Sequence, residues 1–396
     1  MVLNPLLQGR RGMVTGALLV LGVLSLGGVP LAGAGEPSVS LRKVTDDVRG
    51  AGLQAQRPIW ASGRNPQLAF ELTDRAHSTH LKVASFWEDE LKVAAVPGSN
   101  SGRLGSFGAG EQRADMAVSW WPGRRDFVFA RSLDGVRLMY YDGTVRAVPD
   151  LPEGPVLEAS LAGAASGLDV VFNEGRETVI HRVSIEGGML GESRPLLRSS
   201  AVLHSVVSSA DGASVTALQT SRDATELLQI DVASGEVRSK RSYSGLELLS
   251  LASAGQPGRF LAYARRVGSG PQSEGSSYVL LALAHGSPEA VVLAGAVYLA
   301  PGLAPRPASS GAGQSVYFVE ANPALGNPIV RLDRTTGGRS VLPLLTRGHQ
   351  EVAVGEFSDA SGQVVPWVAV VAVGDQTGDD VTNHLYIGPL GSWPNW

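Results

Sequence analysis

The chain has 396 residues, 43% hydrophobic and 18% charged, with 49 Gly and 23 Pro, a globular composition rich in turn residues rather than a disordered one. A formal net charge of −4, with no polybasic run and no basic stripe interleaved with aromatics, argues against nucleic acid and anionic lipid as partners. Cysteine is absent, which excludes disulfide staples and a lipid anchor on a cleavage-site thiol.

Residues 1–34 read as a signal peptide. Arg10 and Arg11 precede the apolar run "MVTGALLVLGVLSLGGVPLAGA", which closes on Ala32-Gly33-Ala34, a small-x-small cleavage pattern. Several Gly and Pro30 interrupt the run and no basic stop-transfer flank follows it, so cleavage is expected rather than a stable membrane anchor. "GRRGMV" lacks the apolar residues usual after a twin-Arg pair, which favours general secretion. The mature chain is then a single domain, 35–396, periplasmic or secreted.

Beyond the leader, helical periodicity is hard to find. Runs of four to eight residues rich in Val, Leu, Phe, Tyr and Ala recur instead, bounded by Gly, Ser, Asp or Pro, and predict an all-β chain. "VSLRKVT" (39–45) alternates ahead of a first inner strand at "QRPIWAS" (56–62). Then come "PQLAFELTDRAHSTHLKVASFWED" (66–89), "RRDFVFARSLDGVRLMYYDG" (124–143) and "SGLDVVFNEGRETVIHRVSIEGG" (166–188). "DGASVTALQTSRDATELLQIDVASGE" (211–236), "GRFLAYARRVGSGPQSEGSSYVLLALAHGS" (258–287), "GQSVYFVEANPALGNPIVRLDRTTGG" (313–338) and "VPWVAVVAVGDQTGDDVTNHLYIG" (365–388) follow. Their second strands centre on Ala69, Val128, Val171, Thr216, Ala262, Tyr317 and Ala369, about 40 to 60 residues apart, as in β-propeller blades. Gly143, Gly187, Gly235, Gly286 and Gly337 mark a recurring turn.

A core of this length exceeds what one sandwich normally supports, whereas a ring buries apolar area blade by blade and leaves only short edges. The expected fold is a β-propeller of seven four-stranded blades, with six or eight as alternatives because the first and last copies are degenerate. After "HLYIG" (384–388) the tail "PLGSWPNW" contains two Pro and makes a poor strand. Residues 39–45 are therefore predicted to complete the last blade.

At "SWWPGRRDFVFARSLDGVRLMYYDG" and "SSADGASVTALQTSRDATELLQIDVASGEV" the pattern resembles the TolB-type, WD40-like propeller repeat. The matches are Asp211-Gly212 with Asp231 to Gly235, and Leu332-Asp333 with Thr336-Gly337, while Trp60 and Trp120 stand where that family's inner-strand Trp would. No blade carries the whole motif, and the Asp-x-x-Thr/Ser-Gly element is shared with other propellers. The resemblance implies a non-enzymatic protein-interaction module of the cell envelope. It would be a monomeric ring within a larger assembly, docking an envelope protein or lipoprotein through its funnel or one loop face. The alternative is a propeller enzyme or carbohydrate-binding protein acting on extracellular polysaccharide or a lactone, which would need channel-facing carboxylates or His.

Catalytic signatures are sparse. There is no Gly-x-Ser-x-Gly elbow and no His-Glu-x-x-His among the seven His. His77 and His80 lie three apart on a loop and strand start rather than on a helix, which is weak zinc chemistry. No cofactor is expected. The exception the loop chemistry allows is calcium at Asp375, Asp379 and Asp380 in "GDQTGDD", read against carboxylates that cap their own turn. Trp side chains are assigned to inter-blade packing.

Loops joining second to third strands emerge on one face of a propeller. Here they are short in blades two to four and lengthen in blades five (267–277), six (320–328) and seven (374–383). Function concentrates on loops held by a rigid scaffold. A contiguous partner site is therefore placed there, with Glu274, Asn322, Asn327, Asp375, Asp379 and Asp380 as its polar contacts.

Overall fold

The computed structural model describes residues 39–45, 54–61, 65–73, 79–87, 90–97, 99, 116–120, 127–131, 135–140, 142–148, 151, 156–161, 166–186, 189–222, 224–267, 278–300, 305–311, 313–359, 361–373 and 382–391. A short strand, β1 (Arg42–Lys43), comes first. The first group follows: β2 (Gln54–Trp60), β3 (Gln67–Thr73), β4 (Thr79–Trp87) and β5 (Glu90–Ala95). The second is β6 (Met116–Trp120), β7 (Phe127–Arg131), β8 (Gly135–Met139) and β9 (Val145–Ala147). The third is β10 (Val156–Leu161), β11 (Gly167–Glu174), β12 (Glu177–Glu186) and β13 (Met189–Ser199), and the fourth β14 (Val202–Ser208), β15 (Ser214–Thr220), β16 (Thr225–Asp231) and β17 (Val237–Ser242). The fifth holds β18 (Leu246–Ser253), β19 (Arg259–Arg266), β20 (Tyr278–Ala284) and β21 (Val291–Val297), and the sixth β22 (Ala308–Ser310), β23 (Ser315–Val319), β24 (Ile329–Asp333) and β25 (Arg339–Val341). The seventh has β26 (His349–Ser358), β27 (Val364–Val373) and β28 (Asn383–Pro389).

Groups two to six are separate four-stranded antiparallel meanders. The seventh and first groups belong to one eight-stranded sheet, joined by a single parallel pair, Gln54 with Asn383. On the edge of β28 away from β27, where Gln54 also pairs, β1 pairs antiparallel with β28, Arg42 opposite Ile387 and Lys43 opposite Tyr386. The segment is held further by Val44 N–H on the Leu385 carbonyl at 2.8 Å and by a 2.9 Å hydrogen bond shared between Thr45 Oγ1 and His384 Nδ1.

The second strands β3, β11, β15, β19, β23 and β27 are largely buried on both faces, and their sequences are correspondingly apolar-rich runs. "LDVVF" in β11, "FLAYA" in β19 and "WVAVVA" in β27 are buried throughout. Fourth strands such as β5 and β17 are largely exposed and polar. Adjacent residues of a second strand serve opposite neighbours. Val170 and Phe172 share a cluster with Leu138 of the second group, while Val171 shares one with Val215 and Ala217 of the fourth. Leu218 joins Ala262, and Tyr263 joins Phe318, linking the fourth group to the fifth and the fifth to the sixth. Tyr317 and Val319 join Val368 and Val370, and Trp367 joins Phe70 and Phe86 across the seventh and first groups. Trp120 then packs on Ala69 and Leu81. Each such Val, Leu or Phe side chain contributes about 1.5–3 kcal/mol by leaving water.

Two tryptophans add a directional bond to this packing. Trp60 and Trp120 end the first strands of their groups. Each indole N–H donates to a carbonyl of the preceding group's first strand, Ala353 at 3.2 Å and Ile59 at 2.9 Å respectively. The Asp-x-x-Ser/Thr-Gly elements are turns. Asp231 Oδ1 accepts from Ser234 N–H at 2.7 Å, and Asp333 Oδ1 from Thr335 and Thr336 N–H at 2.8 and 3.0 Å. Gly235 and Gly337 close them at φ 75° and 74°, a conformation that favours glycine. Gly187 lies outside the described residues, and Gly286 turns without a positive φ.

Candidate functional site

First strands carry several buried and constrained polar groups. In five of them the pairing with the second strand slips, at Gln56/Ile59, Val156/Glu158, His204/Val207, Leu248/Ser250 and His349/Glu351. A bulge re-aims the side chains beside it. Arg57 and Ser205, both within these slips, adopt φ 52° and 51°, a conformation that side chains other than glycine rarely hold without compensation.

Around Arg57 the compensation is explicit. Its backbone N–H donates to Glu351 Oε2 at 2.7 Å, and its guanidinium contacts Glu71 Oε1 at 3.3 Å. Gln56 donates to the other oxygen of Glu71 at 2.8 Å. Both carboxylates are buried. Burial pushes the Glu351 carboxyl up to about 7, opposed by the bond from Arg57 N–H and the Arg57 charge and reinforced by Glu71. Elsewhere, Glu158 of the third group is ion-paired with Arg306, which precedes β22 of the sixth, and Ser250 Oγ donates to the neighbouring Pro305 carbonyl at 2.7 Å. Between the third and fourth groups, Asp169 Oδ2 accepts from Arg182 at 2.8 Å and from Ser208 Oγ at 2.5 Å. Burial raises the Asp169 carboxyl although Arg182 draws it down.

Of the expected partner contacts, the structure describes two. Asn322 and Asn327 belong to one closed loop between β23 and β24, with a 3-10 turn at Pro323–Leu325. Asn327 Oδ1 accepts from Asn322 N–H at 3.1 Å, and Asn327 N–H donates back to the Asn322 carbonyl at 2.9 Å. His349 clamps the loop from below, its Nδ1 2.8 Å from the Asn327 carbonyl and its Nε2 3.0 Å from Thr346 Oγ1. The loop is thus built before any partner arrives, and the Asn327 side chain serves its turn. Glu274, Asp375, Asp379 and Asp380 lie outside the described residues, as does His77, so the calcium expectation falls there too.

Two further described histidines are held in structural contacts. His204 is buried, which lowers it to about 4, and its Nε2 lies 2.9 Å from Thr220 Oγ1. His181 sits between Glu174 and Ser193 at 3.2 Å each. Among the described residues no three His, Asp or Glu are grouped to hold a metal ion, and no helix is long and apolar enough to cross a membrane. Sequence reading missed Arg57, Glu71, Glu158, Arg306 and Glu351. The signal available was a lone acid inside an apolar strand, "AFELT" for Glu71 and "VLEASL" for Glu158.

No family model matches the chain, and no curated protein matches it. Solved structures do. The β-propeller domain of Cps50 (Swd1) from Myceliophteria thermophila aligns with a TM-score of 0.53 at 13% identity, over 89% of this chain and 100% of that one. An oligogalacturonate lyase in complex with manganese aligns at 0.54 and 10% identity, over 90% and 97%. TolB from Acinetobacter baumannii aligns at 0.41 and 12% identity, over 86% and 80%. At these identities the likeness concerns fold alone. The chain has a β-propeller architecture.

Proposed function

We propose that the protein is an exported, non-enzymatic β-propeller that acts as an interaction module in the cell envelope. In this reading the seven groups are seven blades of one ring, and residues 39–45 supply the last strand of the seventh. The succession of apolar clusters from each group to the next, including seventh to first, supports that ring. Export rests on the leader-like residues 1–34.

One observation carries the non-enzymatic reading. The first-strand carboxylates that would face a substrate are engaged by the chain's own donors, Glu158 by Arg306 and Glu351 by Arg57 N–H. A catalytic acid or base must instead be within reach of the proton it moves. The loop face, by contrast, presents the pre-folded 320–328 loop, and pre-organisation lowers the ordering cost of docking. Glu274, Asn322, Asn327, Asp375, Asp379 and Asp380 are proposed as polar contacts of that face. Capture with residues 35–396 from envelope extracts tests the reading. One stoichiometric protein, lost when loops 267–277 and 374–383 are trimmed in a folded variant, supports it; recovery of glycan favours the alternative.

That alternative, a propeller acting on extracellular polysaccharide or a lactone, draws on one feature. Glu351, holding its proton near neutrality, and Glu71 are two interacting carboxyls, the pairing that acid–base chemistry uses. Polysaccharide or lactone turnover by the purified protein, abolished by Glu351→Gln in a folded variant, would establish it.

A further inference from the structure

The outer part of the fifth group is longer than that of the sixth. β20 and β21 run seven residues each, whereas β24 has five and β25 three. Between them lies a groove of about 510 Å³, lined among others by Arg259, Glu289, Val291, Asp333, Arg334 and Arg339; Asp333 is bonded to its own turn and Arg339 to Glu320. It lies at the strand ends opposite the 320–328 loop, since Asp333 ends β24 where Ile329 begins it beside that loop.

Two features of the groove point to a ligand. The first is the Val291–Gly295 part of the edge of β21, the terminal strand of its sheet; beyond it Val297 bridges Glu320 and the Ala296 carbonyl accepts from Ala321 N–H at 3.1 Å. Exposed edges are normally guarded by charged residues against adventitious pairing. The other described outer strands obey this: "RK", "ELKVAA", "VRA", "MLGESRPLLRS", "VRSKRS" and "RSV" all carry charge. β21, "VVLAGAV", carries none, and its Val291 and Val292 are 60% and 51% exposed. The second is a pair of cations at the groove. Among the described residues Arg259 makes no side-chain hydrogen bond or ion pair, and the Arg334 side chain gives one bond, to the Gly313 carbonyl at 3.0 Å. The Arg259 charge adds to burial in pulling the Arg334 guanidinium below its ordinary value, so a carboxylate placed between them would relieve both.

We propose that the β21 edge and the Arg259–Arg334 pair form a strand-addition site for an extended acidic segment of a partner protein. The segment's backbone would continue the fifth sheet, its apolar side chains would cover Val291 and Val292, and an Asp or Glu would meet the guanidiniums. Main-chain pairing supplies affinity in such docking and alternate side chains supply specificity, while a charge-assisted bond to Arg is about twice as strong as a neutral one. The site is independent of the loop-face reading, because it uses other residues at the other ends of the strands.

The test uses residues 35–396 and a fluorescent, end-blocked heptapeptide of alternating Val and Glu, followed by anisotropy at low salt. Saturable binding is expected, weakened about tenfold when Gln replaces Glu and about tenfold when alternate peptide nitrogens are methylated. Arg259→Gln, which removes a side chain without a partner to lose, is expected to weaken binding at least several-fold with an unchanged melting curve. Undetectable binding at millimolar peptide overturns the proposal. So does equal binding of the Gln peptide, or indifference to Arg259→Gln. Equal binding of the methylated peptide, or full displacement by inorganic phosphate at matched concentration, would make the groove a simple anion site and would overturn strand addition.

Discussion

Glu158 and Arg306 stand 148 residues apart in the chain and are joined by an ion pair. The third group, which holds Glu158, packs on the second and fourth, and the sixth packs on the fifth and seventh. The pair therefore ties together groups that share no apolar cluster among the described residues, from within β10 and from the segment just ahead of β22. The segment around Pro305 and Arg306 acts as a strap, with Ser250 as a second anchor.

Removing the strap's cation leaves Glu158, 9% exposed, without its partner. Because the Arg306 side chain is 45% exposed, the loss sits at the low end of the range for buried charged groups, about 1 kcal/mol. Arg306→Gln should lower the urea midpoint accordingly, and adding Glu158→Gln should recover most of it. Equal destabilisation by the single and double variants would show that the pair contributes nothing.

Glu351 predicts a pH dependence. A carboxyl raised in the folded state from 4.5 to about 7 binds more protons folded than unfolded between those values. Its favourable contribution is complete below 4.5 and is lost as pH rises through about 7. Urea unfolding should show stability falling by on the order of 2 to 3 kcal/mol between about pH 5 and about pH 8. Glu351→Gln, which carries no charge at either pH, should flatten that slope; an identical slope would assign it to other groups.

Gly235 and Gly337 occupy matching turns but differ in surroundings. Both carry a left-handed φ, yet an added Cβ at Gly235 would lie 2.8 Å from the Leu196 carbonyl oxygen, whereas at Gly337 it would meet nothing within 4 Å. Gly337→Ala should cost only the backbone penalty of about 1–2 kcal/mol. Gly235→Ala should cost measurably more, and calorimetry on the two variants decides the ordering.

The β1 segment touches two interfaces at once. Val39 belongs to the cluster between the sixth and seventh groups, and Val44 to that between the seventh and first. Gly388 allows the close approach, because a Cβ there would collide with the backbone at Ser40. Deleting residues 35–45 should lower the melting temperature by several degrees or more, and Gly388→Val should reproduce much of that effect. An unaltered melting curve in both would remove the segment from the stability of the fold.

Strand spacing was legible because each second strand is an apolar-rich run bounded by Gly, Asp, Ser or Pro, a purely local signal. The Trp60 and Trp120 positions were legible for a similar reason, being large aromatics at the end of an inner strand. Glu158, Arg306 and Glu351 were not, although their letters were in view. Their roles depend on which first strands converge, and on bulges that re-aim them, and neither is written in any window of sequence. The 320–328 loop is intermediate: its length was readable, but the His349 clamp beneath it comes from the next group.

The pairing of Arg42 with Ile387 also imposes an order of events. Residues 39–45 are delivered early and cannot dock until β28 exists and has folded on β27. During that wait the β28 edge and the side chains of Val39 and Val44 have no native cover, and such open edges invite wrong partners. Closure between segments so distant in the chain is slow compared with a hairpin. A circular permutant that opens the chain between residues 45 and 54 and links 391 to 39 would turn that late, long-range step into a local one. Assembly time, rather than final stability, is the quantity this arrangement governs.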